Sequence, residues 1–144
     1  MDRNELKLQC LELLDTRASE HPAGHQGTLV ARYLLRGRKG DVTELMFEKG
    51  PKTPANLWVE HRRALGLLVE PGLQFQSSPA SALYANKGAN GKPIYGRHSG
   101  LKPMRELGHA DLICFSITTL AELDRILSHL SECEAVSFNP SQAT

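Results

Sequence analysis

Residues 28–48 read Thr-Leu-Val-Ala-Arg-Tyr-Leu-Leu-Arg-Gly-Arg-Lys-Gly-Asp-Val-Thr-Glu-Leu-Met-Phe-Glu. Leu29, Ala31, Tyr33 and Leu35 fall on one side, and Val30, Arg32, Leu34 and Arg36 on the other, which is the two-residue period of a strand. Gly37-Arg38-Lys39-Gly40-Asp41 supplies a turn with two glycines free to take positive φ. Alternation then resumes, Thr43, Leu45 and Phe47 against Glu44, Met46 and Glu48. The stretch predicts a β-hairpin. Gly50-Pro51-Lys52-Thr53-Pro54 breaks the chain, and residues 56–62 follow as a third strand with Leu57 and Val59 opposite Trp58. Together these strands predict an antiparallel meander.

Outward from the meander, residues 3–20 predict a helix. Leu6, Cys10, Leu13, Leu14 and Ala18 recur at helical spacing, with Leu8 and Leu11 widening the stripe. Asp2 with Glu5 matches a capping box. His21-Pro22 ends the helix, because proline disfavours helical geometry in the residue before it, and residues 23–27 form a loop. A short strand is expected around Leu73 to Gln76. Residues 86–103 hold four glycines, two prolines and four basic side chains, and a loop of that length is usually functional or mobile. Residues 110–117, Ala-Asp-Leu-Ile-Cys-Phe-Ser-Ile, read as a strand buried on both faces. Thr119 and Glu122 then cap a helix carrying Leu120, Leu123, Ile126, Leu127 and Leu130 at helical spacing. The expected fold class is α+β: an N-terminal helix, an antiparallel meander, an irregular basic loop, and a buried strand followed by a C-terminal helix. Both helices pack on one sheet face, and Trp58, Arg32, Arg36 and Arg62 occupy the other. Residues 1–138 form one domain, and residues 139–144 a flexible tail.

The chain has 144 residues, 40% of them hydrophobic and 23% charged. This is a globular balance that excludes wholesale disorder and a coiled-coil rod. No apolar run approaches the ~18 residues of a membrane span, and the acidic, polar start does not resemble a signal peptide. Cys10, Cys114 and Cys133 form no CxxC pair, so no zinc site is read and a reducing, cytoplasmic setting is expected. The net charge of +1 conceals a strong asymmetry. Residues 31–105 carry thirteen basic and five acidic side chains, whereas the flanking segments are net acidic. Concentrated positive charge attracts phosphate or an acidic protein surface.

Each chemical motif has a plainer alternative. Asp41, Glu44, Glu48 and Lys49 suggest a metal-dependent nuclease. Glu48 and Lys49 are neighbours on a strand, however, and point to opposite faces, so solvated hairpin charges are the expectation. His21 and His25 have metal-ligand spacing, but Pro22 and Gly24 between them forbid an ordered helix, and no metal or cofactor is expected. Residues 96–102, Gly-Arg-His-Ser-Gly-Leu-Lys, resemble an anion-binding loop but lack the ending of a P-loop. Trp58 with Arg62 and Arg63 suggests an aromatic platform for single strands or flipped bases; the alternative is a tryptophan filling the core beneath the first helix. Zinc-finger, homeodomain, RRM and winged-helix patterns are absent.

The leading expectation is a small non-enzymatic nucleic-acid-binding protein, with DNA favoured over RNA. The expected contacts are Arg36, Arg38 and Lys39 at the hairpin turn, Trp58, Arg62 and Arg63 on the third strand, and Lys92, Arg97, His98, Lys102 and Arg105 in the loop. Such contacts mainly reach phosphates and give weak sequence specificity. One alternative is a protein-interaction module, a homodimer or an inhibitor-like partner, docking its acidic terminal helix or basic body in trans. Another is a small enzyme acting on a phosphate-bearing substrate at residues 95–99. That reading requires Tyr95, Arg97, His98 and Ser99 to converge on one pocket. Arg97→Ala is expected to leave the melting temperature nearly unchanged and to alter only function.

Overall fold

A computed structural model of the chain describes residues 2–24, 29–69 and 71–132. The expected flexible tail at 139–144, Cys133 and His25 lie outside the described residues. Helix α1 spans Arg3–Arg17. The Asp2 side chain accepts the Glu5 amide at 2.8 Å, satisfying one of the orphan donors of the first turn. Leu6, Cys10 and Leu14 are buried, whereas Leu8 is 62% exposed and does not widen the stripe. The helix ends at Arg17 rather than residue 20, and Ser19–Glu20 forms a short edge strand, β1.

The hairpin forms as the alternation predicts. Strand β2 (Val30–Arg36) pairs antiparallel with β3 (Val42–Glu48), with Ala31 opposite Phe47 and Arg36 opposite Val42. In the turn only Gly40 takes positive φ, at 92°. Strand β4 (Ala55–Glu60) completes the meander. It stops at Glu60, and His61–Arg63 turn into a 3-10 helix, so Arg62 does not share a strand face with Trp58 as expected. A helical turn, α2 (Leu65–Leu68), leads to β5 (Gln74–Ser78). Strand β6 (Leu112–Ile117) inserts between β4 and β5, giving the sheet order β1-β2-β3-β4-β6-β5. The all-apolar character of Leu112, Ile113, Phe115 and Ile117 accounts for that interior position, where each of the four is at most 4% exposed. Helix α3 (Leu120–Glu132) follows. Its start is closed by Thr119, whose Oγ1 accepts the Glu122 amide, and by Glu122, whose carboxylate accepts the Thr118 amide and hydroxyl.

Both long helices pack on one face of the sheet. Leu6, Cys10 and Leu14 of α1 and Leu123, Ile126, Leu127 and Leu130 of α3 join Tyr33, Leu45, Phe47, Leu57 and Phe115 in one apolar cluster. The described residues thus form the α+β arrangement read from the sequence. Lys7, on the buried stripe of α1, donates its ammonium to the Gly50 and Thr53 carbonyls and ties α1 to the β3–β4 turn. Among the described residues no helix is long and apolar enough to cross a membrane.

The second face is the main departure from expectation. The long β5–β6 connection folds back over β2, β3 and β4, and its Leu101, Met104 and Leu107 pack on Val30, Met46 and Leu112. This segment makes few regular backbone bonds, so its polar groups need partners elsewhere. Charged side chains on the sheet supply them. Arg32 is 6% exposed and donates to the Gly100 carbonyl at 2.9 Å. The Glu44 carboxylate accepts the amides of Arg105, Glu106 and Leu107 at 3.2, 2.7 and 3.0 Å. The same carboxylate lies 2.6 Å from His21 Nε2. Because His21 Nδ1 accepts the Ala23 amide, the hydrogen shared with Glu44 sits on Nε2. Glu44 and Glu48, expected to be solvated hairpin charges, are each 5% exposed and engaged inside the fold. They share the strand face of Met46, the face that the connection covers.

Candidate functional site

The basic residues singled out in the sequence divide into three groups. The first lies toward the hairpin end of the sheet. Arg36 closes β2, and Arg38 and Lys39 occupy the turn. Arg63 connects that turn to two distant segments: its guanidinium lies 3.1 Å from Asp41, 3.5 Å from Glu60 and 3.9 Å from Glu106. Arg62 is therefore beside the turn. Arg105 is there too, because its amide is held by Glu44, which pairs across the hairpin with Leu34. The side chains of Arg36, Arg38, Lys39, Arg62 and Arg105 are exposed. Arg62 also bonds Glu60 at 2.7 Å, which raises its guanidinium pKa.

Arg63 belongs to the interior. It is 8% exposed and gathers Asp41, Glu60 and Glu106 around one guanidinium. Burial pushes the Glu106 carboxyl above its ordinary range, and the nearby Glu60 charge adds to the effect. Among the described residues, Glu60 Oε1, Arg63 Nε and Glu106 Oε2 are buried there without hydrogen-bond partners. Among the described residues no group of three or more His, Cys, Asp or Glu side chains has a geometry that would hold a metal ion.

Within the second group, which lies along the connection, Arg97 points inward. It donates to Ser78 Oγ at 2.8 Å, to the Ser78 carbonyl at 2.6 Å, and to the carbonyls of Leu107 and Gly108 at 3.3 and 3.5 Å. These bonds clamp both ends of the connection to β5. Arg97→Ala is accordingly expected to lower stability by about 2–4 kcal/mol, since it orphans several part-buried acceptors. Chemical denaturation measures this directly, and it replaces the sequence expectation of an unchanged melting temperature. Lys102 is exposed, with its ammonium 5.9 Å from the Tyr95 ring centroid, and Lys92 sits on an outer turn whose amide bonds Asn90. Tyr95 donates to the Gly108 carbonyl at 2.7 Å and packs edge-on against Tyr84. His98 Nδ1 accepts the Gly100 amide at 3.0 Å, and its Nε2 lies 4.0 Å from Glu48. His98 lines a pocket with Leu29 and residues 50–53, whereas Arg97 faces Ser78. Tyr95 and Arg97 thus meet at the Gly108 carbonyl while His98 lines a separate pocket, and the four side chains of residues 95–99 named for an enzymatic centre do not share one pocket.

The third group is Trp58. It faces away from α1, on the second sheet face, where it packs against the apolar cluster that includes Met46, its partner across the strands; it does not fill the core beneath the helix. Its indole N–H donates to Glu48 Oε2 at 2.8 Å, and Asn56 Nδ2 donates to the same oxygen at 3.1 Å. Beyond Trp58 the connection no longer covers the sheet. A groove of about 600 Å³ opens there, lined by Trp58, Asn56, Gln74, Gln76, Cys114 and Ser116 among others. Burial raises the Cys114 thiol to about 12 and the Cys10 thiol to about 11, so neither is a thiolate near neutrality. The groove was not legible in the sequence, because it depends on β6 lying between β4 and β5.

Comparison with protein-family models, with curated proteins and with solved structures finds no match for this chain. The geometry and its chemistry therefore carry the functional reading.

Proposed function

We propose that the protein binds nucleic acid, DNA in the first instance, through phosphate contacts at the hairpin end of its sheet. What supports this reading is that Arg36, Arg38, Lys39, Arg62 and Arg105 are all exposed, on three segments that the bonds of Arg63 and Glu44 bring toward the hairpin end. Asp41, Glu60 and Glu106, which lie beside them, are gathered by the buried Arg63 and so offer less repulsion to an incoming phosphate. Exposed cations bind phosphates without reading bases, so specificity is low and set elsewhere. Localisation in the cytoplasm is consistent with this reading and stands as part of the proposal.

The test replaces Arg36, Arg38 and Arg105 together by Gln. These exposed positions tolerate substitution with little loss of stability. Affinity for labelled DNA is expected to fall about equally across sequences, because phosphate contacts are sequence-independent. Unchanged affinity refutes the proposed surface. A second reading, a protein-docking module, draws support from β5. It is an edge strand with no charged residue, and Gln74, Phe75, Gln76 and Ser77 are all exposed. Sedimentation of the same samples separates the readings: a dimer without DNA affinity favours docking.

A further inference from the structure

The groove beside Trp58 is a second site of a different chemistry. Its six residues named above are all uncharged, so it offers a phosphate no cationic partner. What it offers is an aromatic surface and a set of amides and hydroxyls. Trp58 spends its only polar group on Glu48, which leaves the ring's π surface as what it presents. Asn56 is fixed by the same carboxylate, and its Oδ1 accepts from Ser116 Oγ at 3.4 Å. Gln74 and Gln76 stand opposite Ser116 and Cys114 in the β5–β6 register, on the Trp58 side of the sheet. Both glutamines are exposed, with amide donors and acceptors available at the groove.

An aromatic face flanked by amides suits a planar, uncharged, hydrogen-bonding ring, and sheet-borne aromatics stack bases of single strands in this way. The position of the groove extends the argument. Ser77 and Ser78 line both the groove and a smaller cleft with His61, and His61 adjoins Arg62 of the basic end. Arg97 sits beyond Ser78, and the acceptors of its hydrogen bonds there are neutral oxygens. Through Ser77 and Ser78 this cleft, which Asp111 also lines, joins the neighbourhood of Arg62 to the groove.

We infer that the Trp58 groove holds an unpaired nucleobase of a single-stranded DNA whose phosphates lie on the basic end. This rests on the proposed function and makes it specific: the preferred ligand is single-stranded, because a base paired in a duplex does not reach the groove.

The chain's single tryptophan makes the test direct. The full chain is titrated at low salt with an oligothymidylate and, separately, with a duplex of equal length, reading label anisotropy and Trp58 emission together. The single strand is expected to bind more tightly and to quench Trp58 saturably, while the duplex leaves the emission unchanged. Replacing both exposed glutamines, Gln74→Ala with Gln76→Ala, is expected to weaken single-strand binding about tenfold and leave duplex binding alone. If the oligothymidylate binds with no change in Trp58 emission, or the double variant binds it as the wild type does, the groove assignment is overturned while phosphate binding stands. If nothing binds, the proposed function falls as well.

Discussion

Phe115→Ala should largely unfold the protein. Phe115 has no exposed surface and lies on interior strand β6, between Leu57 of β4 and Phe75 of β5. Its ring also meets that of Phe75 edge-on at 6.1 Å. The apolar cluster around it joins both long helices to the sheet, so no single neighbour can move in to fill the space. Truncation of a buried phenylalanine costs about 3–5 kcal/mol, out of the roughly 5–15 kcal/mol that a domain has in total. Thermal melting followed by circular dichroism is the measurement. A wild-type melt would show that β6 is not central.

The second large effect is expected at Glu44. Glu44→Ala removes the acceptor of three backbone amides and the partner of His21 at one stroke. Leaving buried groups without their charged partner costs about 3–5 kcal/mol, and the loss should fall first on the β5–β6 connection. Amide exchange at residues 105–107 reports it locally. The same carboxylate gives the protein an acid-labile element. Burial would raise the Glu44 pKa, but the Leu107 amide, His21 and the Glu106 amide outweigh it and hold the carboxyl below its ordinary value of 4.5. A carboxylate with a depressed native pKa contributes stability that is complete above its unfolded value and is lost as pH falls through the native one. The wild type should therefore lose stability below about pH 4.5, and Glu44→Gln should flatten that acid limb. An identical pH profile in the variant would assign the acid sensitivity to other groups.

These predictions also mark where the sequence is informative. The hairpin, the meander and the closing strand and helix were legible, because alternation in 28–48, the apolar run in 112–117 and the spacing of Leu123, Ile126, Leu127 and Leu130 each impose one periodicity. The short strand Ser19–Glu20 was not, since two residues carry no period. The covered second face was hidden for a different reason. Arg32, Glu44 and Glu48 look like solvent-facing charges on alternating strands, and only the return of a distant, irregular segment turns them into anchors. Likewise Arg63 and Arg97 have the composition of a phosphate site but are turned inward by partners far away in sequence. The proposed phosphate-binding end was only half readable. Its turn residues are contiguous, but Arg105 arrives through the bonds of residues 105–107 to Glu44.

The central claim, phosphate binding at that end, is tested most directly by the salt dependence of DNA affinity. If Arg36, Arg38, Lys39, Arg62 and Arg105 each displace a counterion, the plot of log affinity against log salt for single-stranded DNA should have a slope of about −3.5. Replacing Arg36, Arg38 and Arg105 by Gln should then bring the slope to about −1.4. A slope near zero in the wild type, or no binding at low salt, would contradict the account.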